Sequence, residues 1–111
     1  MDDSQLLRGI LEGCILSIIS KEETYGYKIL SELENLGFDN VFESTLYPII
    51  TRLEKKQFVC CRREKSPFGP TRKYYSITKA GEDFLSEFKN NYKKITSSAE
   101  AILFEVNHNE R

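Results

Sequence analysis

The 111-residue sequence contains no tryptophan, one histidine, three prolines and three cysteines. An odd number of cysteines, two of them adjacent at Cys60 and Cys61, makes no disulfide framework and fits a reducing compartment. The only histidine, His108, lies in a polar tail, whereas a metal site needs several converging ligands, so we expect neither metal nor cofactor. For the cysteine pair, ordinary packing is favoured over oxidant sensing or binding of a soft metal.

Patterns typical of enzymes and of membrane proteins are also missing. The sequence has no glycine-rich phosphate loop, no HExxH and no GxSxG, so we expect no enzymatic activity. The longest apolar run begins at Cys14 and is interrupted by Ser17, which is too short to cross a bilayer. The acidic start, Met1 to Ser4, is unlike the basic start of a signal peptide. We therefore expect a cytoplasmic protein with no membrane partner.

Positive charge is concentrated in one segment. The chain has a formal net charge of −1, yet the stretch from Arg52 to Lys73 carries eight basic and only two acidic residues. The rest of the chain is correspondingly acidic. Clustered Lys and Arg can neutralise phosphates and release counterions, which is the sequence-independent part of nucleic-acid affinity. A solvated charged surface is the alternative interpretation.

The hydrophobic pattern predicts three helices followed by a hairpin. Apolar residues recur at three- and four-residue steps from Leu6 to Ile19 and again over 29–36, where Thr24 is a candidate N-cap and Gly37 a candidate stop. A third helix is expected to start near Glu43, with Pro48 near its first turn. The segments 58–63 and 72–77 are rich in aromatic and β-branched residues, and the turn-forming segment 66–70 separates them. Thr78 is expected to cap a last helix.

This order of elements is that of a winged helix-turn-helix, a mainly α fold with a small β-hairpin. A recognition helix must enter a major groove ~12 Å wide, which suits compact polar side chains. We therefore predict DNA contacts from the outer face of the third helix and from the hairpin, with the acidic residues Glu12, Glu22 and Glu23 facing away. The predicted contacts are Ser44, Thr45, Tyr47, Thr51 and Arg52 on the helix and Lys65, Arg72 and Lys73 on the hairpin.

The last helix carries a heptad-like apolar seam. If it runs from Lys79 to about Val106 it is roughly 40 Å long at ~1.5 Å per residue, and it must overhang a small domain. A second copy of the chain is the predicted partner of this seam. The alternative is that the helix folds back onto the first helix of its own chain, and both arrangements can occur together. The expected dimer contacts are Leu6, Ile10, Leu85, Phe88, Tyr92, Ile95, Ala99 and Ile102.

Three segments together resemble the PadR family of transcriptional regulators: YGYKILSEL at 25–33, ESTLYPIITRLEKKQFV at 43–59 and GPTRKYYSITKAG at 69–81. The resemblance extends from about Leu6 to Val106. It implies a homodimer that binds double-stranded DNA at a pseudo-palindromic operator, usually as a repressor, and that a small aromatic or hydrophobic effector releases. It also adds Tyr25, Lys28 and Pro48 to the DNA contacts.

The expected organisation is a winged helix DNA-binding domain over 5–78, a dimerisation helix over 79–106 and a tail over 107–111. Phe88 and Tyr92 are candidate ligand contacts at the dimer centre, although dimer packing is the favoured role for both. Some family members hold planar ligands between tryptophans, which this chain lacks. The alternative function is a winged helix used for protein–protein contact without DNA.

Overall fold

The computed structural model describes residues 4–105, so the predictions for Val106, His108 and the tail over 107–111 lie outside the described residues. Within that range the chain forms α1 (Ser4–Lys21), α2 (Gly26–Asn35), α3 (Glu43–Lys55), β1 (Val59–Glu64), β2 (Arg72–Ile77) and α4 (Lys79–Leu103). The mainly helical fold with a small hairpin is therefore confirmed. Of the helices described, none is long and apolar enough to cross a membrane.

Helix α1 lies at the centre of the core. Its apolar stripe is broad because it packs against α2, β2 and α4. Burying such a stripe removes apolar surface from water on several sides, which is the main force that holds the small domain together. The core residues are Leu11, Ile15, Leu16, Ile18, Ile19, Ile29, Leu33, Leu46, Ile49, Ile50, Leu53, Val59, Tyr75 and Leu85.

The ends of the helices follow local rules in most places. Gly37 adopts φ 108° after α2, a left-handed conformation that glycine tolerates and that ends a helix. The Thr78 hydroxyl accepts a hydrogen bond of 3.0 Å from the Gly81 amide, so the predicted cap of α4 is confirmed. Gly81 itself lies against the Phe58 carbonyl, where a Cβ would collide with backbone.

Two local predictions are wrong. The N-cap of α2 is Tyr25, whereas Thr24 is buried and forms an isolated bridge with Tyr75 through two backbone hydrogen bonds of 2.7 and 3.1 Å. The backbone of Thr24 thereby gains a partner on β2, which outweighs a capping role. Pro48 is the sixth residue of α3 and lies beyond its first turn. Its position is exposed, so the Ser44 carbonyl that loses a partner can be hydrated.

The two strands form an antiparallel hairpin, the wing. Their register runs from Val59 opposite Ile77 to Glu64 opposite Arg72. The seven residues 65–71 connect the strands, and every one of them is exposed. The wing thus has a base that packs on the domain and a loop that projects from it.

Helix α4 extends beyond the rest of the domain, as its length predicts. The radius of gyration is 16.6 Å and the extents are 62 × 32 × 20 Å, whereas a compact chain of this length has a radius of about 13 Å. Only the first turns of α4 pack on the core. Leu85 is 6% exposed and belongs to the core of its own chain, and the Phe88 ring lies against Gly13 of α1. The fold-back alternative therefore describes the first half of the helix.

Candidate nucleic-acid interface

The outer face of α3 is exposed and carries small polar side chains. The apolar face of the same helix is buried in the core, which fixes the rotation of the helix and turns the opposite face to solvent. The structure thus brings together six of the predicted DNA contacts on one surface: Ser44, Thr45, Tyr47, Pro48, Thr51 and Arg52.

Tyr47 is held in place by a glycine on the neighbouring helix. Its hydroxyl lies so close to Gly26 that any Cβ at this position would collide with it. Tyr47 is 41% exposed, so the ring packs on α2 while part of it remains at the surface. The absence of a side chain at Gly26 therefore sets the position of an aromatic group on the outer face of α3.

Stacked arginine and tyrosine side chains join the wing to the start of α2. The Arg72 guanidinium lies 4.3 Å from the centre of the Tyr25 ring, and Tyr25 contacts the edge of Tyr74 with a centroid distance of 5.6 Å. On the far side, Arg62 lies 4.6 Å from the centre of the Tyr74 ring. Cation–π and edge-to-face contacts of this kind are attractive and directional. They fix the angle between the wing and the helices.

Arg62 is committed to carboxylates. Its Nε and Nη2 donate to the two carboxylate oxygens of Glu23 at 2.8 and 2.7 Å, and its Nη1 donates to Glu64 at 2.8 Å. The hydrogen bonds from Arg62 lower the pKa of Glu23. Arg62 is therefore a structural cation, although it lies within the basic segment. Glu23 thus lies beside the wing, where it binds Arg62.

Two predicted DNA contacts are also paired with acidic residues. The Arg52 Nε donates to Glu12 Oε2 at 3.0 Å, and the Lys28 Nζ donates to Glu22 Oε1 at 3.2 Å. The hydrogen bond to Glu22 raises the pKa of Lys28. Glu12 and Glu22 thus lie beside two of the predicted DNA contacts. Part of the charge at Arg52 and Lys28 is already neutralised within the protein.

Other cations of the basic segment are free of such partners. Within residues 4–105, no carboxylate lies within 4.0 Å of the exposed side chains of Lys55, Arg63, Lys65 and Lys73. Arg63 and Lys73 occupy opposite positions of the hairpin. Lys55 and Arg63 were absent from the predicted contacts, although their place in the basic segment marks them.

A small notch lies where α2, α3 and the wing meet. Its volume is about 200 Å³, and its lining includes Tyr25, Gly26, Tyr47, Arg72 and Lys73. The first amides of α2 lie at this notch, and helix N-termini favour anions. Tyr27 also lines it and is 72% exposed. The notch therefore brings two cations, Arg72 and Lys73, beside the start of α2.

A row of aromatic rings runs along α4 towards the wing. Phe58 and Phe84 are stacked with centroids 4.5 Å apart, and the row continues from Phe84 to Phe88 at 6.3 Å and to Tyr92 at 6.4 Å. Phe58 lies between the end of α3 and the start of β1. This row therefore connects α4 with α3 and the wing.

The second half of α4 exposes apolar side chains. A group of large apolar residues exposed together on a protein surface is typical of an interaction site. The exposed members are Tyr92, Ile95, Ile102, Leu103 and Phe104, together with Leu6 on α1, whereas Ile10 and Ala99 are half-buried.

Residues 15–87 match the model of the transcriptional regulator PadR-like family. The chain belongs to this family. This chain is 42% identical to a PadR-like transcriptional regulator from Bacillus cereus, with a TM-score of 0.79. The match covers 90% of this chain and 97% of that one. A Streptococcus transcriptional regulator is 40% identical, with a TM-score of 0.77 over 89% and 97% of the two chains.

The sequence is also 26% identical to the transcriptional regulator YqjI of Escherichia coli over 84% of this chain, a match that spans 44% of the E. coli protein. The PadR-like protein is accordingly a transcriptional regulator with a winged helix DNA-binding fold, and not an enzyme.

Proposed function

We propose that this PadR-like protein is a homodimeric repressor that binds a pseudo-palindromic operator and that a small aromatic or hydrophobic ligand releases. The observation that carries the proposal is the outer face of α3. Six exposed side chains lie there beside a wing with free cations. Compact polar groups suit base edges in the major groove, and free cations suit phosphates.

The contacts divide by chemistry into two groups. Ser44, Thr45 and Thr51 are small enough to reach base edges, and Tyr47 offers a ring and a hydroxyl at a fixed position. Lys65 and Lys73 are the proposed phosphate ligands of the wing, with Tyr25 and Arg72 at the notch beside α2. Lys28 on α2 is a further proposed phosphate ligand. Arg52 contributes through its free terminal nitrogens while Glu12 holds its Nε.

The proposed dimer forms through the exposed half of α4. Tyr92, Ile95 and Ile102 offer an apolar surface there, with Leu6 and Ile10 of α1 as the complementary surface of the second copy. Since Leu85 and most of Phe88 are covered by their own chain, they contribute mainly by positioning α4. A two-fold dimer would place two α3 helices in successive major grooves, ~34–36 Å apart.

The proposed ligand site lies between the α4 helices at Phe88 and Tyr92. A planar apolar ligand would stack on these rings and displace the helices relative to each other. The aromatic row from Tyr92 to Phe58 would carry this displacement to the wing, because packed rings cannot shift independently. Ligand and DNA would then oppose each other through the spacing of the α3 helices.

The proposal is tested by selecting duplexes from a random pool and measuring affinity for the winner against salt concentration. We expect an inverted repeat and a steep loss of affinity with salt. Lack of enrichment, or weak binding that is indifferent to sequence, would contradict the proposal. The alternative, a protein-interaction module, would then be favoured, since such a module needs no sequence-specific contact with DNA.

A further inference from the structure

The tip of the wing carries an aromatic residue that contacts almost nothing. Phe68 is 98% exposed. It lies in the segment Lys65-Ser66-Pro67-Phe68-Gly69-Pro70, near the middle of the connecting loop. A single exposed apolar residue is common on protein surfaces. Phe68 differs from such residues in the stiffness of its loop, in the charge around it and in where it points.

The loop presents the ring outwards, away from a hollow beside the wing. A hollow of about 360 Å³ lies against the wing and is lined by residues on both sides of the tip, among them Lys65, Pro67, Pro70 and Tyr74. Phe68 is not part of this lining. The hollow is large enough for a phenyl ring, and filling it would remove apolar surface from water. The ring nevertheless remains in solvent, beyond the last strand pair.

The backbone on each side of the ring is restricted. Pro67 and Pro70 have fixed φ angles, and the Ser66 hydroxyl accepts a hydrogen bond of 3.4 Å from the Phe68 amide. At the base of the wing, the stacks of Arg72 on Tyr25 and of Arg62 on Tyr74 hold the strands. A restricted loop on an anchored base loses little conformational entropy when it binds.

Cations surround the base of this loop. The exposed cations on the same hairpin as the ring are Arg63, Lys65 and Lys73. Their positive charge favours an anionic partner. An apolar tip with basic residues at its base is complementary to a groove that has phosphates on both edges and stacked bases on its floor. In duplex DNA, proteins enter the minor groove in this manner and insert Phe, Leu or Pro between base steps.

From this arrangement we infer that Phe68 is an intercalating wedge that inserts between two base pairs in the minor groove flanking each operator half-site. This inference rests on the proposed function and deepens it. Lys65 and Lys73 bind the phosphates on the two edges of the groove, and Pro67 and Pro70 pack along its walls. Pyrimidine–purine steps unstack most easily, so the wedge favours such a step at a position outside the sequence that α3 contacts.

The test compares the full-length protein with Phe68→Ala on the selected duplex, with 2-aminopurine placed at successive positions in the flanks. The unaltered protein should raise the fluorescence at one position, because unstacking relieves quenching. Phe68→Ala should abolish this rise and weaken binding by roughly tenfold, the typical effect of losing one aromatic–base stack. The salt dependence should not change, since no charge is removed.

Two further variants make the result specific. Phe68→Leu retains an apolar wedge and should keep most of the fluorescence rise. Leu36→Ala removes another exposed apolar side chain, just after the end of α2, and should change neither signal. Because Phe68 makes no core contact, thermal unfolding of Phe68→Ala should match that of the unaltered protein.

The failures are distinguishable. If the unaltered protein does not bind the duplex, the proposed function falls and the wedge falls with it. If it binds with a steep salt dependence and Phe68→Ala behaves identically, only the wedge is overturned, and the tip is left as a surface for protein contact. A loss of affinity without any loss of the fluorescence rise would also overturn it.

Discussion

Arg52 on α3 and Glu12 on α1 form an ion pair in which Arg52 Nε lies 3.0 Å from Glu12 Oε2. The Glu12 side chain is only 16% exposed, whereas that of Arg52 is 48% exposed. The carboxylate is therefore held inside the domain, and the guanidinium reaches from it towards the outer face of α3. Arg52 is a link between two helices as well as a candidate DNA contact.

This ion pair distinguishes Arg52 from Lys73, two basic residues that the sequence alone does not distinguish. Lys73→Ala removes a cation with no carboxylate near it in the described part of the chain, so the salt slope of DNA binding should fall by about one. Arg52→Ala should change the slope less, because Glu12 already neutralises part of that charge. Titrations of the operator at several salt concentrations measure both slopes.

The same pair predicts an effect on stability. Arg52→Ala leaves Glu12 largely buried without its partner and should lower the free energy of unfolding by roughly 1 kcal/mol. Lys73→Ala should leave it unchanged within error. Glu12→Gln combined with Arg52→Ala should recover part of the loss, and a double-mutant cycle in denaturant gives the coupling. A coupling of zero would mean that the ion pair contributes nothing to the fold.

Gly26→Ala should separate DNA binding from folding. The added methyl group must displace the Tyr47 hydroxyl, which is the end of a flexible side chain at the surface. We expect a change of less than about 1 kcal/mol in unfolding free energy, because an exposed ring can rotate away. Operator affinity should fall by about tenfold as Tyr47 leaves its position. Equal affinities of the variant and the unaltered protein would remove Tyr47 from the recognition surface.

Glycines at two other positions should respond in opposite directions. At Gly81 a Cβ meets the Phe58 backbone carbonyl, which cannot move without disturbing the junction of α3 and β1. Gly81→Ala should therefore destabilise the protein by about 2–3 kcal/mol. At Gly9 nothing lies within 4 Å among the described residues, and Gly9→Ala should stabilise α1 by about 0.5–1 kcal/mol. Chemical denaturation of the two variants provides the comparison.

Tyr75 should make the protein sensitive to alkali. Burial raises the pKa of Tyr75 from 10.0 to about 12, since the phenolate is poorly solvated in the core. A pKa that is higher in the folded state stabilises the fold fully below pH 10, and this contribution is lost as pH rises towards 12. Over that pH interval, the free energy of unfolding of Tyr75→Phe should fall by roughly 1–2 kcal/mol less than that of the unaltered protein. Unfolding free energies measured at pH 9 and pH 11.5 test the difference.

Ile95→Glu tests the proposed dimer. Ile95 is 66% exposed on the projecting half of α4, so a carboxylate there costs the single chain little. Between two copies it would be buried without a partner and should shift sedimentation to the mass of one chain. Leu36→Glu places the same charge on α2 and should leave the sedimentation unchanged. A stable dimer of Ile95→Glu would contradict the assignment of this seam.

The sequence predicts the fold well because its main signals are local. Hydrophobic periodicity marks which face of α3 is buried, and this fixes which face is exposed. Thr78 and Gly37 set helix ends through hydrogen bonds and backbone angles that involve only near neighbours. Thr24 is different, because its bridge partner Tyr75 comes fifty-one residues later and no local pattern reveals it.

The charges show where prediction from sequence fails. Glu12 reaches Arg52 across forty residues, and Glu23 reaches Arg62 across thirty-nine. Long flexible side chains choose partners after the helices and strands have packed, so a local excess of positive charge does not reveal which cations remain free. The basic segment is correctly located by sequence, but its division into structural and available cations depends on the tertiary fold.

The separation of the wing into an anchored base and an exposed loop has a consequence for how such regulators diversify. Residues 65–71 contribute no side chain to the core, so they can be replaced without altering the packing of the domain. A regulator built in this way can acquire a new binding preference by exchanging this short segment. The same segment is a natural place to graft a different tip onto this scaffold.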